Sequence, residues 1–370
     1  MLNKVKTLIS SPITYVPESL NKLYFPELDG FRGIAILAVI FSHAVLNKYL
    51  GKYAVGNIGV EIFFVLSGFL ISTLLLKEKI KNGKVSFKKF YTRRGLRILP
   101  VAYLFLGVLI FLNFAFNLKV SFGSLIVSAL FIKNLPFNYV GNWFNGHFWT
   151  LAIEEQFYLI FPFLLIYSLK NYFRVLVFLV LFIPVLQFVG FHNIGIFYTN
   201  YPLHKTTFVL ITLFGNGTTA ILIGSLLSIL MFKGLMPVSN TNNYRFLSLV
   251  LFIIAMMFRI GFNILPGTYL TSTIFSLVIA FVIFLCITND NDFLGKILKS
   301  KILIKLGILS YSIYIWQQLF MYQQPWGNSF KYSDSLFLNI PVLFIVAYIS
   351  YHFYEVRFLK LKNKFKAPLN

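Results

Sequence analysis

The sequence predicts an all-α protein, a polytopic membrane bundle of about ten transmembrane helices with both termini in the cytoplasm. Three observations predict it. Of the 370 residues, 58% are apolar, 19% aromatic and only 12% charged, too little polar surface for a soluble globule of this size. Apolar runs of about 17 to 23 residues, long enough to cross the hydrocarbon core as helices, recur along the chain. Most of the 33 Lys and Arg fall in segments that a ten-span arrangement leaves on one side, as the positive-inside rule requires.

Residues 1–26 carry Lys4, Lys6 and Lys22 but no sustained apolar stretch with a small-residue cleavage site, so a cytoplasmic segment is expected rather than a signal peptide. One membrane domain is expected over 27–358, followed by a basic cytoplasmic tail at 359–370. The first run begins at Phe31, within "ELDGFRGIAILAVIFSHAV". Arg32 marks its cytoplasmic boundary, and His43 lies about four residues, roughly 6 Å, from its outer end. Eleven helical residues advance about 16 Å through roughly three turns, so Arg32 and His43 share a face. The second run, from Asn57, returns inward and brings Glu61 to the depth of His43. Between the second and third runs, "KEKIKNGKVSFKKFYTRRGLRILP" holds nine basic residues from Lys77 to Arg97 against one acid. Its lysines suit a topology anchor on anionic lipid. Arg94 and Arg97, three apart at the entrance to the third run at Ile98, point the same way and form a fork suited to phosphate. With Arg32 they would make a cationic mouth.

The stretch "SFGSLIVSALFIKNL" at 121–135 is shorter and ends near Lys133. Were it to span, the later loops would invert and the basic tail would lie outside, so it is expected to dip in and return. The fourth run, from Phe148, starts outside and carries Glu154 and Glu155 about 10 Å deep. Adjacent residues on a helix diverge by roughly 100°, so one carboxylate can enter a cavity while the other pairs elsewhere. The remaining runs start at Tyr172, Phe208, Phe246, Thr268, Ile304 and Leu336. Cys286, the single cysteine, excludes an internal disulfide and a cysteine metal cluster, and no metal site is expected. The net charge of +22 is accounted for by the cytoplasmic membrane face and needs no nucleic-acid partner.

Each of these ionisable residues has a bland explanation: an interhelical hydrogen bond for His43, a favourable helix-dipole position for Glu61. Their convergence from three helices is what points to a functional site, because ionisable groups in a bilayer are costly and normally face a polar interior. The outer segments "FNYVGNWFNGHFW" and "FHNIGIFYTNYPLHK" are rich in aromatic and amide side chains, which suits sugar rings as well as an interfacial belt. His147 could help hold such an acceptor.

The segments "LDGFRGIAILAVIFSHA", "GVEIFFVLSGFLIS", "RRGLRILP", "FWTLAIEEQFYLIFP" and "LGILSYSIYIWQQ" resemble, in order and approximate spacing, those of the acyltransferase family 3 membrane proteins. The resemblance runs from about Glu27 to Phe358. It implies a bacterial cell-membrane O-acyltransferase that takes an acyl group, acetyl by expectation, from cytoplasmic acyl-CoA to a hydroxyl of an extracytoplasmic or lipid-linked glycan. It implies donor-binding roles for Arg32, Arg94 and Arg97, and catalytic roles for His43, Glu61, Glu154 and Glu155. Imidazole suits proton removal from the acceptor hydroxyl, and Glu61 or Glu154 is expected to fix its tautomer. Two departures stand out. Gln317 occupies a position where many relatives have histidine, and Val356 and Arg357 follow Glu355 where a basic residue and proline are common. No fused extracytoplasmic domain is expected, so an acyl-carrying partner would act in trans. The rival reading is a proton-coupled transporter or flippase, with His and Glu relaying protons and the arginines binding an anionic substrate.

Overall fold

The computed structural model describes residues 13–46, 56–135, 141–192, 194–215, 217–236, 244–261, 268–327, 329 and 331–365. Among these residues the regular structure is entirely helical. Helix α1 (Pro26–Phe41) starts with Pro in its first turn and with Glu27 and Asp29 there, where a fixed φ and negative charge suit a helix start. It passes directly into a π turn, Ser42–Leu46. Helix α2 (Gly56–Asn82) and α3 (Phe87–Phe116) follow, the latter capped by the Ser86 hydroxyl. The short α4 (Phe122–Ala129) precedes α5 (Phe148–Tyr167), and Ser168 ends α5 while capping α6 (Leu169–Phe191). Next come α7 (Tyr201–Phe214), α8 (Thr218–Phe232), α9 (Leu247–Gly261) and α10 (Thr268–Thr288). Helix α11 (Lys301–Trp316) ends in a 3-10 turn, Gln317–Leu319. Helix α12 (Leu336–Ile349) runs through a second π turn, Ser350–Glu355, into the basic helix α13 (Val356–Asn363).

All ten expected runs fall on helices, but their lengths differ from expectation. Among the described residues six are long and apolar enough to cross a membrane alone: α2, α3, α5, α6, α10 and the continuous α12–α13. A seventh crossing exists if α7 and α8, bent by 53°, form one span. Helices α1, α9 and α11 have 16, 15 and 16 α-helical residues, and α1 and α11 continue into the Ser42–Leu46 and Gln317–Leu319 turns, so among the described residues length singles out six or seven spans and does not establish ten. Helix α3 begins at Phe87, well before Ile98, and its 30 residues carry its arginines on regular helix rather than in a loop. Within 121–135 the α-helix is only eight residues long, about 12 Å, and does not cross.

Helices in lipid gain little from apolar burial and pack instead where small residues let backbones meet. A Cβ at Gly30 or Gly33 would collide with the carbonyls of Leu298 and Leu303, and one at Gly307 with the carbonyl of Asp29. Gly33 and Gly307 seat α1 directly on α11, and Gly30 seats it on Leu298 just before α11. Gly68 and Gly224 do the same for α2 and α8, against Ile221 and Val65. Hydroxyls reinforce that second seam: Ser72 bonds Ser225, which also bonds Tyr172 on α6, and Thr73 bonds Ser228 at 2.9 Å. A Cβ at Gly59 would meet the carbonyl of Ala35, which sets α2 against α1, so α2 and α11 both lie beside α1.

Candidate functional site

Helices α1, α2, α3, α5 and α11 line a partly open cavity. Arg32, Arg94, Arg97 and Glu154 all line it, together with Ser67, Tyr158, Tyr311 and Tyr314. Arg32 donates from Nη1 to Asp29 Oδ1 at 2.9 Å, across one turn of α1, and Tyr24 donates to Asp29 Oδ2 at 2.7 Å. Burial, followed by the hydrogen bond to Asp29, pushes the Tyr24 phenol up to about 12, so it remains a donor at physiological pH and holds the Asp29–Arg32 pair in place. The Arg94 guanidinium lies 5.1 Å from the Tyr158 ring centre and 5.9 Å from that of Phe90, in cation–π range. Among the described residues, neither Arg94 nor Arg97 has a carboxylate within ion-pair distance. The cavity wall therefore presents three guanidinium groups and one carboxylate, Glu154, which accepts from Ser67 Oγ at 2.7 Å.

The upper wall is closed by Thr150 and Tyr314, whose hydroxyls lie 2.7 Å apart. Three residues beyond Tyr314, where α11 tightens into its 3-10 turn, Gln317 Oε1 lies 2.8 Å from Nδ1 of His43. His43 stands in the π turn at the end of α1, an irregularity frequent at functional sites. The edge of its half-buried ring meets the Trp143 indole, with centres 5.4 Å apart. Imidazole and arginines thus belong to one column of the bundle, with the arginines at its cytoplasmic-facing end by the sequence argument.

Expectation and structure part company over the carboxylates. The His43 ring is held by an amide, not by a glutamate. Glu61 is 5% exposed and is taken up by Arg259, at 2.8 Å from Nη2, and by Ser272, at 2.9 Å. Glu61 therefore bonds Arg259 and Ser272 and, among the described residues, makes no hydrogen bond to the imidazole. Glu154 also makes no bond to His43. Its partner Ser67 lies six residues further along α2 than Glu61, about 9 Å deeper, so the carboxylates occupy two levels rather than one. Glu155 is absent from the cavity lining, and one of its oxygens is buried without a hydrogen bond. Gln156, next in the same motif, turns away to exchange hydrogen bonds with Asn134 at 2.7 and 3.0 Å, fastening the turn after α4. His147 is 3% exposed and packs edge-on to Phe105, Phe148 and Tyr314, which leaves it no face for an acceptor. Residues 136–140 of the outer aromatic segment lie outside the described residues.

Three important side chains escaped the sequence argument. Asp29 was within reach of it, because its spacing of three from Arg32 is the helical ion-pair interval. Gln317 was visible only as a departure from a family pattern. Arg259, apparently a stray charge in an apolar helix, had no signal naming Glu61, 198 positions away, as its partner.

Fold and site together define a polytopic membrane protein in which helices wall a cationic cavity beneath a half-buried histidine. Residues 25–355 match the acyltransferase domain of the acyltransferase 3 family, and the chain belongs to that family. It is 30% identical over 369 residues to YrhL of Bacillus subtilis, whose name as a peptidoglycan O-acetyltransferase is provisional; the match covers 90% of this chain and 54% of the relative. It is 29% identical over 367 residues to the peptidoglycan O-acetyltransferase OatA of Listeria monocytogenes, covering 90% and 56%. The chain spans a little over half the length of these curated relatives. No solved structure matches it.

Proposed function

We propose that this protein is a transmembrane O-acyltransferase that carries an acetyl group from cytoplasmic acetyl-CoA to a hydroxyl of an extracytoplasmic or lipid-linked glycan. The observation that carries the proposal is the pair Arg94 and Arg97, facing the cavity with no carboxylate partner below a histidine on the same column of helices. Guanidinium groups left without a protein anion suit phosphates, which they bind by charge-assisted bonds. Along α1 the interval from Arg32 to His43 is about 16 Å, the order of an extended phosphopantetheine arm. In this arrangement the nucleotide phosphates sit at the arginines and the thioester at the ring. The names of the relatives supply the acetyl group and favour a cell-wall glycan as acceptor.

His43 acts as general base. The acceptor hydroxyl oxygen attacks the thioester carbonyl while Nε2 takes its proton; the carbon–oxygen bond forms, the carbon–sulfur bond breaks, and the imidazolium returns the proton to the leaving thiolate. Glu154 faces the same cavity and offsets part of its positive charge. A cytoplasmic placement of the basic segments, as the charge bias favours, gives this geometry its direction, with donor below and acceptor above.

The test is His43→Gln in well-folded protein. Glutamine keeps hydrogen bonding and approximate size but takes no proton at neutral pH. Acetyl transfer to glycan is expected to fall at least 100-fold, the lower range for loss of a positioned base, with acetyl-CoA binding retained. Near-normal transfer by this variant would defeat the general-base mechanism. Substrate uptake without thioester loss would support a transporter instead.

A further inference from the structure

Gln317 and Gln318 are adjacent amides, and both are buried. Gln317 Nε2 donates to Gln318 Oε1 at 2.8 Å, and Gln318 Nε2 donates to the backbone carbonyl of Trp143, also at 2.8 Å. Trp143 closes the clasp by donating from its indole Nε1 to the Gln318 carbonyl at 2.9 Å. The chain therefore runs from His43 Nδ1 through two side-chain amides to a peptide oxygen.

That last oxygen gives the chain a single polarity. A carbonyl only accepts, so Gln318 must present its NH2 group to Trp143 and its oxygen to Gln317. Gln317 must then present its NH2 group to Gln318 and its oxygen to His43. Turning either amide over sets two acceptors face to face. An imidazole nitrogen opposite an acceptor must carry hydrogen, which excludes the tautomer protonated only at Nε2.

We infer that Gln317 and Gln318 are positioning residues that fix His43 in the Nδ1-protonated form and so keep Nε2 as the lone-pair nitrogen for the acceptor hydroxyl. The inference rests on the general-base role of His43 proposed above. In this protein two neutral amides anchored on a backbone carbonyl do what a carboxylate does in many hydrolytic sites. Nδ1 holds its hydrogen throughout the cycle, and only Nε2 gains and loses a proton. Among the described residues no carboxylate bonds the ring, whose polar partner is Gln317. The imidazolium therefore has no counter-charge in contact, which favours prompt return of the proton to the leaving thiolate.

The clasp also explains why the loop before α5 is tied to the end of α11. Lys133 Nζ donates to Ser124 Oγ and Asn145 Oδ1, each at 2.8 Å, and so pins the loop two residues beyond Trp143. Gly146 lies against Gln318 Nε2, where an added Cβ would crowd the amide at 3.3 Å.

The experiment reads the tautomer directly. Full-length protein carrying 15N-labelled histidine, in nanodiscs, is compared with His43→Gln protein to identify the His43 signals. Nδ1 is expected to be of the protonated type and Nε2 of the unprotonated type. In Gln317→Leu this preference is expected to be lost, with kcat for acetyl transfer down about 10- to 100-fold, the worth of a hydrogen bond to a charged group. KM for acetyl-CoA should stay within about twofold, because the arginine contacts are untouched. Gln317→Glu combined with Gln318→Leu keeps an acceptor at Nδ1 without setting an oxygen against Gln318 Oε1, and is expected to retain the tautomer and exceed Gln317→Leu in activity. Wild-type protein protonated at Nε2 alone would overturn the inference, and so would an unchanged kcat in Gln317→Leu. The arms separate the two claims: an inactive His43→Gln with a fully active Gln317→Leu removes the relay and spares the base, whereas an active His43→Gln removes the base itself.

Discussion

Arg94 and Arg97 show how one residue type serves two ends in this chain. Arg93, their neighbour, is spent on structure: it donates to Glu78 at 3.1 Å and to the Phe365 carbonyl at 2.9 Å, tying α3 to α2 and to the segment after α13. Arg94 and Arg97 are turned into the cavity instead. Replacing either by alanine is expected to weaken acetyl-CoA binding about 10- to 100-fold with thermal stability nearly unchanged, since each loses a charge-assisted bond to ligand and no protein carboxylate. Arg97→Lys should restore only part of the affinity, because an ammonium lacks the planar fork. Calorimetric titration of purified protein measures both, and unchanged affinity in the two alanine variants would refute the cationic mouth. Glu61 is expected to behave in the opposite way. Glu61→Ala removes the carboxylate bonded to the Arg259 guanidinium, which is 3% exposed, and is expected to lower thermal stability. The paired Glu61→Leu, Arg259→Met variant should recover most of that loss in a thermal unfolding measurement, and a base-like Glu61 would show lost activity in the paired variant despite restored stability.

At the scale of helices, seams of small residues decide which faces meet. Gly307 rests on the Asp29 carbonyl, beside the carboxylate that holds Arg32, while Gln317 near the end of the same helix meets His43. One helix pair, α1 with α11, therefore sets both ends of the site. Gly307→Val is expected to open this seam at about 1–3 kcal/mol or more, lowering the unfolding temperature and transfer together. Gly107→Ala on α3, where an added Cβ meets nothing within 4 Å, serves as the control and should be neutral or slightly stabilising. Equal stability of the two variants would show that the seam is not tight. The departures from regular α-helix belong to the same account. The π turn at Ser42–Leu46 and the 3-10 turn at Gln317–Leu319 lie where the two helices end, and these turns bring the ring and amide within hydrogen-bond distance.

For the molecule as a whole, the orientation in the membrane gives the column of arginines and histidine its functional sense. Basic segments before α3 and after α12 are expected on the same side, where anionic lipid attracts them. Cysteines placed at Asn82 and Lys364, in a Cys286→Ser background, should both resist an impermeant thiol reagent in intact cells and react once the membrane is opened. Labelling of either in intact cells would invert the ten-crossing topology. Cys286 is a mild background change because its thiol only donates to Asp292 at 3.4 Å.

The sequence alone determined the class of fold, the helices and the family. Hydropathy and charge bias are sums over many residues, so local errors average out, and five motifs agreed in order. It also picked out Arg32, Arg94 and Arg97, which line the cavity, because spacing within a helix translates directly into a shared face. Tertiary structure alone decided what each carboxylate does. Glu61 and Glu154 are alike by depth and type, yet one meets Arg259 and the other Ser67 and the cavity, and those partners come from helices remote in sequence. The same holds for His43, whose partner lies 274 residues away in the chain. A hydrogen bond is specified by angstroms and angles between helices, and periodicity within one helix carries no information about its neighbour's position.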